Sequence, residues 1–361
     1  MAIEWLAGNR LRGTTAERPS GSLQSPSVGG WKEVGRTTLG SKTSPMTVAS
    51  LADKRYYMVL SSALADGTNR AAAVRRLGNG SVDTGSNYSS RRNDNGGLES
   101  TNTNVTVTGN VNLSSDKTPQ FAVDYVSNLS SKEKLAITNI VLQNTAGAGT
   151  SPQRAESVWK WTNTSNPLNY YEITREPSES GDWESGSEVV VLGWDPDDTH
   201  TDNFWEELAS VSADGSSNTL SASFTSKKYL WVQCYEQSSA GSVSFRVGNS
   251  TLDTGNNYAV RYSSNGGAED LTTGVSSMDG LTSTTPIFWN YFIINNSANE
   301  KLAICHVVRQ NTAGAGTAPN RIESVSKWAN TSAQIDTVGF TAADGGATIL
   351  SNSILKVWGS D

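Results

Sequence analysis

Two Asp-Thr-Gly triplets, Asp83-Thr84-Gly85 and Asp253-Thr254-Gly255, are the residues of this 361-residue chain whose types and spacing could most readily do chemistry. Brought face to face, one from each half, two such carboxylates share a proton and activate a water for hydrolysis. The same residues also make an Asx turn: Asp accepts backbone N–H groups, Gly takes positive φ, and Tyr88 or Tyr258 opens the next strand. The flanks favour the turn. Asp83 follows Gly80-Ser81-Val82, a short glycine-led lead-in of the kind that opens a turn.

The remaining reactive types are sparse. The triplets resemble those of the aspartic proteases over four to six residues per lobe, which makes a protease using Asp83 and Asp253 a third reading of function. The run Asp195-Pro196-Asp197-Asp198-Thr199-His200-Thr201-Asp202 offers oxygen ligands to a hard cation such as Ca²⁺. It lacks the glycine and closing glutamate of an EF-hand and reads as a solvated hinge. His200 and His306 stand beside no repeated nucleophile, so no Ser/His/Asp arrangement is implied. Ala146-Gly147-Ala148-Gly149-Thr150 has no Lys-Ser/Thr after it and reads as an exposed loop, not a phosphate cradle. Cys234 and Cys305 are expected as buried free thiols. No catalytic residue, cofactor or metal ligand is assigned.

Two charge rows, Arg154/Glu156/Lys160 and Arg321/Glu323/Lys327, lie on one face of an extended chain. They read either as a solvated strand face with cross-strand ion pairs or as a contact surface facing another subunit. Of the tryptophans, Trp31, Trp161, Trp205 and Trp328 recur in pairs and are expected in cores. Trp159, Trp183 and Trp289 do not recur; interface or core packing is the first reading for them, and a sugar-stacking platform the alternative.

Composition bounds what these residues can belong to. Ser, Thr, Asn and Gly fill 149 positions, while charged residues are 17% of the chain. That is the vocabulary of turns and half-exposed strands. The net charge of −7 offers no basic stripe for nucleic acid, and no apolar run reaches the length of a membrane helix. No Sec-type signal opens the chain.

The sequence is written twice, with an offset falling from 174 to 167. Trp31 answers Trp205, Tyr56 answers Tyr229, Asp83–Tyr88 answers Asp253–Tyr258, and Lys134–Ile137 answers Lys301–Ile304. Asn144–Thr150 returns unchanged as Asn311–Thr317. This sets an N-terminal arm and tether at 1–30, a first domain at 31–195, a linker at 196–203 and a second domain at 204–361. Within each copy the period is two, with strand candidates at 56–60, 104–112, 121–126, 135–142 and 188–194, answered by 229–235, 241–247, 287–294, 302–308 and 354–358. Asn95-Gly96 and Asn265-Gly266 mark hairpins. Residues 202–208 allow one capped helical turn, but their repeat partner argues for a strand. The fold class is all-β, two tandem homologous antiparallel β-sandwich domains of jelly-roll-like type. In the arm, Ile3, Trp5, Leu6 and Leu11 suit docking on a partner.

Taken whole, the chain resembles a group of uncharacterised two-repeat β-rich proteins common in marine viral sequences, from phages or archaeal viruses. The resemblance rests on Ile3–Thr14, Arg55–Leu60, the Asp-Thr-Gly-x-Asn-Tyr turns and Val190–Pro196. It implies a non-enzymatic, self-assembling virion structural protein, a capsid-surface component or a tail-fibre-like appendage. Implied partners are other copies and other virion proteins, with Ile3, Trp5, Leu6, Arg154, Glu156, Lys160, Arg321, Glu323 and Lys327 as candidate contacts. Localisation in the virus particle, after synthesis in the host cytoplasm, follows from the same resemblance. An extracellular glycan-binding adhesin is the alternative, with a host-surface glycan as ligand.

Overall fold

In a computed structural model the described residues form 27 β-strands and no helix. The described residues are 4–6, 10–12, 30–109, 118–196, 198, 202–282, 284–343 and 346–361. The expected fold class is what is seen. In the first repeat an eight-stranded antiparallel sheet runs edge to edge through Lys32–Thr38, Glu188–Trp194, Tyr56–Ala63, Gln120–Ser127, Lys134–Leu142, Gln153–Trp161, Tyr88–Asp94 and Ser100–Val105. Against it lies a short sheet of Met46–Val48, Tyr170–Arg175, Ala73–Asn79 and Ser81–Val82. The second repeat keeps the order: Glu206–Ser212, Ile354–Ser360, Tyr229–Glu236, Ile287–Ile294, Lys301–Arg309, Asn320–Trp328, Tyr258–Ser264 and Glu269–Val275. Its short sheet holds Thr219–Ser223, Thr337–Ala342, Ser242–Asn249 and Thr251–Leu252, with Asp279–Thr282 added to Ser242–Asn249.

Period-two alternation makes these sandwiches. In Gln153–Trp161, Ala155, Trp159 and Trp161 turn inward, and Trp159 and Trp161 pack with Tyr57, Val59, Tyr171 and Ile173. The second core is built on Val232, Phe245, Trp289, Tyr291 and Phe340. Cys234 and Cys305 are free and buried in it. At both Asn-Gly pairs the two residues have positive φ (50° and 64°; 52° and 71°), the backbone of a type I′ hairpin. Each closes its hairpin, Tyr88–Asp94 with Ser100–Val105 and Tyr258–Ser264 with Glu269–Val275.

Two details differ from the sequence reading. Of the strand expected at 104–112, residues 110–112 lie outside the described residues and the strand seen is Ser100–Val105, while the counterpart of Ser242–Asn249 is Ala73–Asn79. Arg75 and Arg76 hide the alternation of Ala73–Asn79, yet Arg75 is wholly buried. Residues 206–212 form a strand, as their repeat partner argued, and not a helical turn.

The outward faces of the long sheets share a third apolar cluster. Leu60, Phe121, Val123 and Val190 of the first repeat enter it with Tyr229, Phe292, Ile294, Leu302 and Ile304 of the second. Trp205 joins here and not in a sandwich core, while its repeat partner Trp31 is only half-buried. Of the arm, the described backbone is one antiparallel pair, Glu4–Leu6 with Arg10–Arg12. The docking expected of Ile3, Trp5 and Leu6 lies outside the described residues and side chains.

Candidate functional site

Each Asp-Thr-Gly carboxylate is held inside its own repeat. Asp83 accepts from the Gly85 N–H (2.8 Å), from Asn87 Nδ2 (2.9 Å) and from Trp161 Nε1 (2.7 Å). Asp253 accepts from Gly255, Asn257 and Trp328 at the same three distances. Tyr88 and Tyr258 close the turns by donating to the carbonyls of Asp83 and Asp253. Partial burial works to raise both carboxyl groups, but the tryptophan, asparagine and glycine bonds outweigh it and hold them below the ordinary aspartate range. A proton-sharing pair needs one member held protonated, the opposite shift. The geometry is that of a structural turn whose buried anchor is an indole.

The acidic run meets lysines. Lys54 pairs with Asp198 and, at 3.7 Å, with Asp195, while Lys32 pairs with Asp202 at 3.0 Å. Among the described residues no group of three acidic, His or Cys side chains is placed to hold a metal ion. The unpaired tryptophans are all interior: Trp183 and Trp289 are fully buried and Trp159 is 4% exposed. None can stack on a sugar.

The charge rows are met by the same chain. Arg154 donates to Glu269 (3.0 Å) and Glu323 (3.1 Å) of the second repeat and to Glu156 of its own strand (2.9 Å). Lys327 is buried and donates to the carbonyls of Gln143 (3.2 Å) and Thr145. Arg154, Glu323 and Lys327 thus join the two repeats of one chain, with Glu156 beside them. Lys160 stays near the surface against Glu133 (2.8 Å), and Arg321 is exposed beside Glu323 (3.2 Å). At the other edge of the contact, Glu188 accepts from Tyr229 (2.8 Å) and Lys228 (2.9 Å). Burial works to raise the Glu188 carboxyl, but its Thr38, Lys228 and Tyr229 partners win and lower it.

What the sequence did not single out is a groove of about 840 Å³ on the outward face of the first long sheet. Its walls include Trp31, Tyr56, Tyr125, Leu135, Ile137 and Trp194. Trp194 stacks on Tyr56 at 5.6 Å and meets Trp31 at 6.3 Å. Tyr56, Leu135, Ile137 and Val158 are bare, with 38–57% of each exposed. Ser89, Arg91, Thr101, Asn102, Thr103 and Lys160 bring the polar side. No His, Cys or carboxylate lines it among the described residues. A shallower hollow of about 490 Å³ on the second repeat is lined by Gln233, Phe288, Asn290, His306 and Val308, and Tyr125 lines both. The signal was present as outward apolar positions on the strands, Leu135, Ile137 and Val158, which alternation alone cannot tell from core.

No protein-family model and no curated protein matches the chain. Among solved structures, domains LG4-5 of the mouse laminin alpha1 chain align over 93% of this chain and 92% of that one, at 10% identity and a TM-score of 0.20. Human GIVD cytosolic phospholipase A2 aligns over 78% of this chain and 33% of that one, at 8% identity and a TM-score of 0.11. Likenesses this slight carry no argument.

Proposed function

We propose that this is a non-enzymatic structural protein that assembles through the outward faces of its long sheets. The observation that carries the reading is the bare groove: a broad apolar floor of Tyr56, Leu135, Ile137 and Val158 with no His, Cys or carboxylate lining it among the described residues. Contiguous exposed apolar surface on a folded domain marks a contact surface. The sequence resemblance extends the reading to a virus particle, at the capsid surface or in an appendage such as a tail fibre. Mass spectrometry of purified particles from a host expressing this chain tests it; particles that lack the chain sink it.

A second reading, a glycan-binding module, is favoured by one feature. The Tyr56–Trp194 stack and Trp31 present ring faces beside Ser89, Thr101, Asn102 and Thr103, the mixture that suits a sugar's apolar face and hydroxyls. Binding on a glycan array that disappears in Trp194→Ala would support this reading over assembly.

A further inference from the structure

The two repeats meet inside the chain through a plug and a socket. The plug, on the first repeat, is the segment Gln143–Ala148 with Pro152 and Arg154. The socket, on the second, is Lys327, Glu300, Gly274, Arg261 and Glu269. Lys327 donates to the Gln143 and Thr145 carbonyls, and Glu300 accepts from the Gly147 N–H. The Gly274 N–H donates to the Ala148 carbonyl at 2.8 Å. Arg261 Nε donates to the Pro152 carbonyl at 2.7 Å, and Arg154 Nε donates to Glu269 at 3.0 Å.

Every one of these groups has an equivalent that, among the described residues, meets partners only within its own repeat. On the first repeat, Lys160 pairs with Glu133 (2.8 Å) as Lys327 pairs with Glu300 (3.4 Å), and Arg91 pairs with Glu99 (2.6 Å) as Arg261 pairs with Glu269 (2.6 Å). The equivalent of Gly274 (φ 58°) is Asn104 (φ 53°), each at the same register shift of its hairpin. On the second repeat, Gln310–Thr317 repeats Gln143–Thr150 letter for letter, followed by Pro319 and Arg321. The contrast is in cover. Lys327 and Glu300 are shut in where Lys160 and Glu133 are about 40% exposed; Arg154 is buried where Arg321 is open.

The apolar floor shows the same contrast. Leu302, Ile304 and Val325 are at most 3% exposed under the first repeat, while their equivalents Leu135, Ile137 and Val158 are at least 50% exposed. Phe121 and Val141 are buried against the second repeat, while Phe288 and Val308 are bare.

We propose that the free socket of one chain receives the free plug of a second copy, so that copies join head to tail through the contact already made within each chain. The inference rests on reading the groove as an assembly surface. It places Lys160 on the partner copy's Gln310 and Thr312 carbonyls, Glu133 on its Gly314 N–H, and Glu99 on its Arg321. Two sockets set against each other would bring no loop to fill Lys160 and Glu133. A contact between unlike patches does not close on itself in a pair, so it yields a chain of subunits or a ring.

The test uses the full chain in sedimentation velocity. The wild type should form a concentration-dependent series of oligomers. Ile137→Asp blocks the socket and Phe288→Asp blocks the plug; both sites are exposed, and circular dichroism checks the fold. Each variant alone should associate at least tenfold more weakly, about 1.4 kcal/mol, and their mixture should stop at a dimer. As a gentler pair, Glu99→Arg and Arg321→Glu should each weaken assembly and restore it when mixed. A wild type that stays monomeric, a Phe288→Asp chain that dimerises alone, or a mixture without a dimer overturns the proposal. Particles that contain a chain monomeric in solution would sink this contact while leaving the structural role standing.

Discussion

Glu236 and Asp279 are acids buried in the second core with few partners. Desolvation comes first in both: it pushes Glu236 up to about 7 against the Trp289 N–H, and Asp279 up to about 6 against the Ser324 hydroxyl. The folded chain therefore holds protons that the unfolded chain releases near its ordinary value of 4.5 for Glu and 3.8 for Asp. Stability should fall as pH rises from about 4 to 7, with the loss complete above that window. Glu236→Gln removes one of the two groups. Its unfolding midpoint, measured across this range, should decline less than that of the wild type; an unchanged slope would show that Glu236 is ionised throughout. At the same scale, Asp83→Ala strands the Trp161 N–H and should cost about 1–3 kcal/mol in urea unfolding. A cost near zero would mean water replaces the carboxylate. The turn role of these aspartates was legible from Gly80-Ser81-Val82, but their indole partners lie 78 and 75 residues away and no local pattern points to them.

At the scale of elements, the two repeats solve one core position differently. In the first, Arg75 and Asp124 are wholly buried 3.4 Å apart, and Tyr171 donates to Asp124 at 2.7 Å. In the second, the equivalent strands bring Phe245 and Tyr291 into a stack at 4.2 Å. A buried ion pair is costly to break and not costly to replace. Arg75→Met should destabilise by roughly 3–5 kcal/mol, whereas the double change Arg75→Phe with Asp124→Tyr should recover most of that loss; calorimetry on both variants decides it, and equal losses would refute the transfer. This pair also explains the misplaced strand. Two arginines in Ala73–Asn79 read as surface, and only the long-range partner Asp124 makes one of them interior. The hairpins, by contrast, were legible because Asn-Gly fixes its own backbone.

For the whole molecule, the shared cluster of Leu60, Phe121 and Val190 with Tyr229, Phe292 and Leu302 couples the sandwiches. Heat should unfold them together. Leu302→Asp puts a charge at a site that is 1% exposed and should split one calorimetric transition into two; one surviving transition would mean that the halves do not depend on each other. The repeat was legible because the second copy serves as an internal control for the first. The pairing of the copies was not, because the same residues stand in both and only one set is covered.

The connection from Trp194 to Glu206 is pinned by Lys54 on Asp198 and by Lys32 on Asp202. Its covalent work is to keep two mating surfaces at a high effective concentration. If a cleavage site is engineered between Asp198 and Asp202, the scission leaves ion pairs, loop bonds and apolar cluster in place, so the two fragments should migrate as one species on native mass spectrometry and part only in denaturant. The halves then become a complementing pair: expressed as separate chains, each would recruit the other, and the peptide link would prove to be a convenience of synthesis, dispensable for cohesion.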